Sequence, residues 1–385
     1  MTVSRLSDIP GIGVDKIGDT ADALRNRDIL RLENLDTDIR PPAGALAATH
    51  AAIDDDDANS YLPFTGQAAL REAVAARIHR SSGMAYDPQT ECIISAGGLA
   101  GIFNTLLSIL EPGDEVVLTD PTYAGLINRV RLAGGVPKFA RLVPGPDGWR
   151  LDLDSLAAAI GARTRALLVM SPSMPSGFVA NAEEWAAIAA HCRRADAWLL
   201  YDAAMERIVF DGHPVIHPAA LPEMRERTIT VGSVSKEYRM IGWRVGWIVG
   251  PAPIMSDVRL TSLSNVVCQV GIGMPGATAA LTSNDDGVAA AVAEWQARRD
   301  RLLAELHDLP VIRPSGGWSL LIDTNPLGLS PDEASRLLLT KADVAATPMK
   351  GWGPQAGRYL RFVYANEPVA RLADIRERVR TAWAV

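Results

Sequence analysis

The sequence has few of the features that nucleic-acid-binding and membrane-spanning proteins need. Its 385 residues include 38 lysines and arginines against 45 aspartates and glutamates, for a net charge of -7, and no basic cluster that would neutralise a run of phosphates. The longest apolar runs, such as Ala197–Tyr201 and Ala166–Met170, are far shorter than the roughly 20 residues that a transmembrane helix requires. We therefore expect no nucleic-acid partner and no membrane span.

Cysteine and histidine are also scarce. The three cysteines, Cys92, Cys192 and Cys268, are far apart, which argues against a disulfide framework or a thiolate metal site and predicts buried core thiols. The six histidines are scattered without the spacing of a zinc site. The opening MTVSRLSDIPGIG has acidic and glycine residues where a signal peptide has its apolar core. We expect no metal and a cytoplasmic location.

The composition, 48% hydrophobic and 22% charged, is typical of a globular chain with two domains. From residue 67 onward, short apolar runs alternate with helical patterns. Continuous apolar strands indicate burial on both faces, and β–α alternation predicts a mainly parallel sheet. The predicted strands are Cys92–Ser95, Glu115–Thr119, Ala166–Met170, Trp198–Tyr201, Thr228–Val231 and Val245–Val249, and the predicted helices include Gln67–His79, Ile102–Leu110 and Ala182–His191.

The rhythm changes near residue 285. We predict an N-terminal arm over residues 1–45, a large domain over 46–285 and a small C-terminal domain over 286–385. The arm is expected to pack on the small domain or on a partner subunit. In the small domain the patterns predict helices at Val288–Leu306, Pro331–Lys341 and Val369–Trp383, and strands at Trp318–Ile322 and Tyr359–Tyr364.

The most informative segment runs from Ser233 to Gly246. Lys236 follows a predicted strand end, Ser233 and Ser235 precede it, and Arg244 follows eight residues later. An amine in this place suits a Schiff base with an aldehyde cofactor, while the hydroxyls and the guanidinium suit a phosphate. A surface lysine at a strand-to-loop junction is the alternative that the segment alone leaves open.

With S-x-S-K followed by G-W-R-x-G, this segment closely resembles the lysine segment of the class I/II aminotransferases, which are fold type I pyridoxal-phosphate enzymes. Other segments are similar to the family's motifs, in order, along most of the chain; they are Asn59–Arg71, Ser95–Ala100, Pro112–Val116, Asp120–Tyr123, Asp202–Gly212 and Tyr359–Phe362. The resemblance implies an α/β fold, in which a large domain with a mainly parallel seven-stranded sheet in an α/β/α sandwich carries a smaller α+β C-terminal domain.

The resemblance also implies an activity. The protein would be a homodimeric aminotransferase that uses pyridoxal 5'-phosphate to move the amino group of an α-amino acid to a 2-oxo acid.

Catalytic roles would fall to three residues by this resemblance. Lys236 would hold the cofactor as a Schiff base and, once displaced by substrate, move a proton between the substrate Cα and the cofactor. Asp202 would pair with the pyridine nitrogen and make the ring an electron sink, unless it is only a helix N-cap. Tyr123 would stack on the ring face, unless it is a buried structural tyrosine.

The cofactor phosphate would lie in a cup of backbone and side-chain donors. Gly98 and Leu99 begin a predicted helix, and a helix N-terminus favours an anion. Ser233, Ser235 and Arg244 would complete the cup. By resemblance, Tyr61 would add a phosphate contact from the other subunit, which places the active site at a dimer interface.

Substrate recognition would depend on Arg361, which by resemblance clamps the α-carboxylate in a bidentate pair; a surface salt bridge is the alternative. Leu35 replaces a glycine of the family's L-x-x-G-E-P-D-F-x-T-P segment and is expected to narrow the pocket. Trp318 and Trp352 would line the pocket or belong to the core. A distal carboxylate would need a further cation, for which Arg31 and Arg40 are candidates.

Two methionines depart from the family. Met174 stands where the N-P-x-N-P-T-G segment has its second asparagine, and Met205 stands where D-E-x-Y has tyrosine. Both family residues donate hydrogen bonds to the cofactor's phenolic oxygen, and methionine donates none. We expect the Schiff base to keep its proton to a higher pH than is usual in the family. If its pH midpoint instead lies in the ordinary range, Ser173 and Tyr201 are the candidates for a substitute donor.

The same departures leave a second function open. A lyase, racemase, cyclase or oxidase acting on an amino acid in a biosynthetic pathway would use the same scaffold. A cofactor-binding regulatory protein is a third alternative, against which Lys236, Asp202 and Arg361 argue together.

Overall fold

The computed structural model describes residues 6, 9, 14–24 and 27–384. Its helices are α1 (Val14–Ala23), α2 (Ala43–Ile53), α3 (Ala68–Ser82), α4 (Gly98–Ile109), α5 (Ala124–Leu132), α6 (Leu153–Ala159), α7 (Ala182–Ala195), α8 (Ala252–Asn265), α9 (Met274–Thr282), α10 (Val288–Glu305), α11 (Pro331–Ala342) and α12 (Ile375–Trp383). Its strands are β1 (Leu30–Arg31), β2 (Cys92–Ser95), β3 (Glu115–Asp120), β4 (Val136–Gly145), β5 (Gly148–Leu151), β6 (Thr164–Met170), β7 (Trp198–Asp202), β8 (Thr228–Ser233), β9 (Gly246–Val249), β10 (Val311–Ile312), β11 (Ser319–Asp323), β12 (Val344–Ala345), β13 (Thr347–Pro348) and β14 (Tyr359–Val363).

The large sheet has the order β2-β9-β8-β7-β6-β3-β4-β5. Strands β8, β7, β6, β3 and β4 are parallel to one another, and β9 is antiparallel to both of its neighbours. Successive residues of a strand enter different apolar clusters: Val116 and Leu118 pack on one face, and Val117 packs on the other. Apolar cores on both faces explain the continuous apolar runs and produce the expected three-layer arrangement.

Within the described part of the chain, this sheet has eight strands rather than the expected seven. The additional strand is β5, which pairs antiparallel with β4 through a tight hairpin. Pro137 and Pro144 lie within β4, and proline weakens a strand pattern because it cannot donate a ladder hydrogen bond. For that reason the apolar pattern alone did not indicate this hairpin.

The small domain contains the antiparallel sheet β10-β11-β14-β13. Helix α11 packs against β13, β14 and α12. The predicted closing helix Val369–Trp383 is wrong as one element, since a 3₁₀ turn over Val369–Leu372 precedes α12 and Asp374 occupies the N-cap position. Part of the described N-terminal arm packs here: β1 pairs with β12, and the Val363 amide donates to the Leu32 carbonyl at 2.7 Å. Farther along the arm, the Leu35 and Arg40 carbonyls accept hydrogen bonds from Lys236 and Arg239 of the large domain.

The parallel strands all end at one edge of the large sheet. Asp120, Met170, Asp202 and Ser233 are the last residues of β3, β6, β7 and β8. Because ligands of open α/β sheets bind outside the carboxyl ends of the strands, this edge is where a site is expected.

Candidate active site

A cavity opens at this edge, and most of the site residues predicted from the sequence line it. Its lining includes eleven of them: Leu35, Gly98, Leu99, Tyr123, Met174, Asp202, Met205, Ser233, Ser235, Lys236 and Arg244. Met170, Ala204 and Ile241 also line it and were not predicted. The sequence could have indicated Met170, which ends a parallel strand, and Ile241, which lies inside the lysine segment.

The amine of Lys236 lies at the centre of this arrangement. Its Nζ donates to the Leu35 carbonyl at 3.0 Å and lies 4.6 Å from the centre of the Trp318 ring. Burial lowers the pKa of this amine to about 8, assisted by the positive charges of Arg361 and Arg244 and opposed by Asp36. A buried amine that is partly neutral near pH 7 to 8 is suited to act as nucleophile and as base.

Asp202 is buried at the end of β7, and its Oδ1 accepts from the Ala204 amide at 3.1 Å. Burial raises the pKa of this carboxyl to about 6, although the Ala204 hydrogen bond and the positive charge of Arg129 oppose the rise. The Asp202 side chain accepts a hydrogen bond from the turn after β7, as an N-cap residue would. It also faces the cavity. A carboxylate with one neutral partner is ready for a cationic ligand atom.

The N-terminus of α4 forms the predicted phosphate cup. Gly97 has φ of 81°, and a Cβ there would lie 2.5 Å from Nη2 of Arg244, so glycine is required for the guanidinium to cover this turn. A Cβ on Gly246 would lie 2.7 Å from the Gly98 amide nitrogen. Arg244 Nη1 donates to Ser235 Oγ at 3.5 Å. The first helical amides lack intrahelical partners, so amides, hydroxyls and a guanidinium converge here.

Arg361 is completely buried on β14. Its Nη2 donates to the Glu33 carbonyl at 2.7 Å and to Thr347 Oγ1 at 3.2 Å, and its Nη1 lies 3.5 Å from the Met174 sulfur. It forms no ion pair with a residue that the structure describes. Burial lowers its pKa to about 10, partly offset by Tyr123 and Glu33. The surface salt-bridge alternative is therefore wrong.

Aromatic rings connect Arg361 with the cavity. The Trp352 ring lies 5.0 Å from the Arg361 Cζ and meets the Tyr123 ring edge-on at 5.4 Å. Trp318 contacts Trp295 at 5.1 Å and presents its face to Lys236. Both predicted tryptophans are thus buried core residues and neighbours of the site at once.

Neither candidate substitute donor lines the cavity. The Tyr201 hydroxyl donates to the Ser171 carbonyl at 3.0 Å, so it is committed to the backbone. Ser173 Oγ is buried without a hydrogen-bond partner in the described part of the chain, but the residue lies outside the cavity lining. The suggestion that one of them replaces the family's donors is not supported by these positions.

Three further sequence candidates lie away from the cavity. Tyr61 is 87% exposed. Arg31 is paired with Glu33 and Asp22, while Arg40 is exposed and its carbonyl accepts a hydrogen bond from Arg239. Neither arginine is placed to bind a distal carboxylate in this cavity.

Among residues 14–24 and 27–384, no helix is long and apolar enough to cross a membrane. The same residues hold no group of three or more potential metal ligands. Cys92 and Cys192 are buried as expected, whereas Cys268 is only half-buried, because it lies beyond the end of α8 in an irregular segment.

The comparisons with known proteins agree with this geometry. The sequence matches the family model "Aminotransferase class I and II" over residues 32–379. The chain belongs to this family. It is 36% identical to the probable N-succinyldiaminopimelate aminotransferase DapC of Mycobacterium tuberculosis, over 84% of this chain and 86% of that protein. It is 33% identical to the arginine–pyruvate transaminase AruH of Pseudomonas aeruginosa, over 90% and 88% of the two chains.

Solved structures of aminotransferases have the same fold. The N-succinyldiaminopimelate aminotransferase structure from Mycobacterium tuberculosis aligns with a TM-score of 0.92 at 33% identity and covers 100% of both chains. The Thermus thermophilus aspartate aminotransferase with maleate aligns with a TM-score of 0.89 at 29% identity, over 100% of this chain and 98% of the other. The protein is therefore a fold type I, pyridoxal-phosphate-dependent aminotransferase, as the resemblance implied.

The residues of this chain fit that cofactor. The cavity places a buried amine, a buried carboxylate and a helix N-terminus with two hydroxyls and a guanidinium around one space. An aldehyde requires an amine as nucleophile, a protonated pyridine nitrogen requires a carboxylate as acceptor, and a phosphate requires hydrogen-bond donors and a positive charge.

Proposed function

We propose that this aminotransferase uses Lys236 as its covalent anchor and proton carrier, with Asp202 and Arg361 as its two fixed charges. The observation that carries the proposal is the convergence of an amine with pKa about 8 and a carboxyl with pKa about 6 in one cavity at the carboxyl edge of the sheet. Perturbed groups of opposite type that share a cleft are typical of catalytic sites.

Pyridoxal 5'-phosphate supplies, when bound, the aldehyde and the ring that stabilises charge at the substrate Cα. Asp202 would accept a hydrogen bond from the protonated ring nitrogen, and Tyr123 would pack against the ring. The amides of Gly98 and Leu99, with Ser233, Ser235 and Arg244, would hold the phosphate. Met174 and Met205 would lie beside the ring and donate no hydrogen bond to it.

Arg361 would bind the substrate α-carboxylate. Among the described residues, this buried guanidinium donates to a carbonyl, a hydroxyl and a thioether. Such a guanidinium gains more from a carboxylate than one already in an ion pair. Leu35 and Trp318, which contact the Lys236 amine, would hold that amine close to the substrate Cα when it is free to move a proton.

We propose a donor amino acid of small or medium size without a distal carboxylate. The described lining offers Lys236 and Arg244 as its cations, and Arg361 lies beside it. Once Arg244 holds a phosphate and Arg361 an α-carboxylate, the described lining offers no further cation to a second acidic group. Leu35, Met174, Met205 and Ile241 make the remaining wall apolar.

We also propose a homodimer with the active site at the subunit interface. Exposed apolar side chains lie on two touching segments: Tyr61 and Phe64 on one, and Val267 and Val270 on the other. A Cβ on Gly271 would lie 1.9 Å from the Ala58 carbonyl oxygen, so these segments are closely packed. Such a patch favours burial against a second copy, which would bring Tyr61 to the partner's phosphate cup. A cytoplasmic location stays a prediction.

The experiment is an absorbance spectrum of the purified protein before and after addition of an amino-acid pool without any 2-oxo acid. We expect the visible band of the bound cofactor to convert to the ultraviolet band of its amine form, and splitting the pool then identifies the donor. Lys236→Ala, with the same pool, is the control and should not convert.

Two results would contradict the details. Conversion by aspartate or glutamate as the preferred donor would mean that the partner subunit supplies a further cation. A visible band that persists while ammonia, peroxide or the other enantiomer accumulates would favour the lyase, racemase, cyclase or oxidase alternative, for which the two methionines in the cavity are the specific observation.

A further inference from the structure

A group of charged residues with a buried centre lies beside the Lys236 cavity. We call it the Arg77 cluster; it consists of Arg77, Glu206, Glu237, Arg207 and Asp286. Arg77, on α3, donates from Nη1 to Glu206 Oε2 at 2.9 Å and from Nη2 to Glu237 Oε2 at 2.8 Å. The side chains of these three residues are at most 5% exposed.

Both carboxylates that Arg77 contacts belong to segments that carry a proposed catalytic residue. Glu237 directly follows Lys236. Glu206 lies four residues after Asp202, in a turn in which its amide donates to the Ala203 carbonyl at 3.2 Å. One guanidinium therefore joins the segment after β7 to the segment after β8, at a place where neither segment has helical or strand hydrogen bonds of its own.

Arg207 forms an outer link between the same segments. Its amide donates to Glu237 Oε1 at 2.9 Å, and its side chain bridges Glu237 and Asp286 at 3.0 and 2.7 Å. This side chain is 35% exposed and lines a surface groove of about 630 Å³. Solvent screens the outer link, so the inner one through Arg77 is the stronger constraint on geometry.

Arg77 and Glu237 retain their charges in the folded protein. Burial opposes ionisation of Glu237, but the positive charges of Arg77 and Arg207 outweigh it and hold the pKa below its ordinary value. Burial likewise opposes the charge on Arg77, whose pKa is nevertheless raised by Glu237 and Glu206. Buried ion pairs are seldom more stabilising than apolar residues of similar volume, so stability alone does not account for this choice.

We propose that Arg77 is a positioning residue, which holds the Lys236 amine and the Asp202 carboxylate at a fixed separation through Glu237 and Glu206. The proposal rests on the roles assigned to Lys236 and Asp202 under the proposed function. A misplacement of about 1 Å can reduce a catalytic rate about 100-fold. Arg77 would therefore affect the reaction without contact with the reacting atoms.

The test uses the holoenzyme and two variants. The triple variant Arg77→Met, Glu206→Gln and Glu237→Gln removes all three charges with little change of volume and leaves no buried ion unpaired. Arg77→Lys keeps the charge but loses the planar fork that reaches two carboxylates. We expect both to fold, and we expect the half-transamination rate to fall about 10- to 100-fold in the triple variant and less in Arg77→Lys.

A purely structural role would not change the spectrum of the folded holoenzyme. We expect the pH midpoint of the visible band to shift by about half a unit or more in the triple variant, because the amine and the carboxylate move relative to each other. The matched control is Arg225→Lys, which disturbs another arginine of the large domain that contacts both oxygens of Glu91 at 2.9 Å. It should change neither rate nor midpoint.

Wild-type rate and midpoint in the folded triple variant would overturn the positioning role and leave the proposed function intact. If the triple variant fails to fold, Arg77→Lys decides in the same way. A wild-type protein that shows no half-reaction would overturn the proposed function, and this proposal with it.

Discussion

Arg77 and Arg361 are buried to nearly the same degree and have opposite surroundings. Arg77 is 5% exposed and lies between two carboxylates, whereas Arg361 is 0% exposed and donates to neutral groups. Accordingly, the pKa of Arg77 is raised and that of Arg361 is lowered to about 10, although burial opposes the charge of both. The two arginines differ in whether carboxylates compensate their charge, and not in how deeply they are buried.

The same distinction separates the candidate site from the scaffold. Burial shifts the pKa values of Lys236 and Asp202 in the directions that favour their neutral forms. In contrast, Arg77 and Arg207 hold the pKa of Glu237 low in spite of burial. Groups that the protein leaves uncompensated are the ones available to a cofactor and a substrate. Groups that it compensates maintain the geometry around them.

The comparison predicts its largest effect for the stability of Arg77→Met. The substitution leaves Glu206 and Glu237 buried with one cation fewer, and we expect the free energy of unfolding to fall by about 3–5 kcal/mol. Urea denaturation measures it. Restoration by Glu206→Gln and Glu237→Gln in the same chain would confirm that the unpaired carboxylates are the cause.

For Arg361→Met we expect a loss of activity without a loss of stability. No buried carboxylate among the described residues loses its partner, so stability should not fall, while kcat/KM for the donor should fall about 100-fold or more because charged hydrogen bonds to the α-carboxylate are lost. Steady-state kinetics and urea denaturation of one preparation test both halves. A large loss of stability with normal kinetics would break the comparison.

For Asp202 the expected effect depends on pH. Its folded-state pKa of about 6 lies above the ordinary value of 3.8, so the cost of burying the anion is absent below pH 4, grows up to pH 6 and is constant above. The cofactor-free Asp202→Asn variant should therefore be about 1–3 kcal/mol more stable than wild type at pH 8 and gain nothing at pH 4. Equal gains at both pH values would contradict this sign.

The two methionines should affect the cofactor rather than stability. We expect the pH midpoint of the visible band in the wild type to lie above the family's ordinary range and to fall by about one unit in Met174→Asn/Met205→Tyr, because both new side chains donate hydrogen bonds. A spectrophotometric titration measures this. A wild-type midpoint within the ordinary range would defeat the hypothesis.

The smallest effect concerns Leu35. Removal of its side chain in Leu35→Gly should widen the pocket and raise the relative kcat/KM of bulkier donors by about tenfold or less, the range expected for one apolar pocket contact. The Leu35 carbonyl that accepts from Lys236 is retained. Leu35→Ala is the intermediate control, and an unchanged donor profile in both would contradict the prediction.

Local patterns predicted the elements whose physics is local. The apolar runs at Cys92–Ser95 and Trp198–Tyr201 became β2 and β7 with at most one residue changed, because strands buried on both faces require such runs. The hairpin of β4 and β5 was missed, since its two prolines weaken the pattern and its edge position needs no apolar continuity. The break before α12 was missed for a related reason: the apolar spacing continues through Val369–Leu372 although the backbone does not.

The family, the cofactor and the lysine segment could be predicted from the sequence, because they depend on short motifs of neighbouring residues that follow one another in order along the chain. The compensation of charge around the site could not, because it depends on residues that only folding brings together. The partners of Arg77 are 129 and 160 residues away, and the Leu35 carbonyl that accepts from Lys236 is 201 residues away. No spacing of residues in the sequence indicates that groups so far apart along the chain are in contact. Burial and charge around a side chain are sums over all packed elements, and they exist only once the chain has folded.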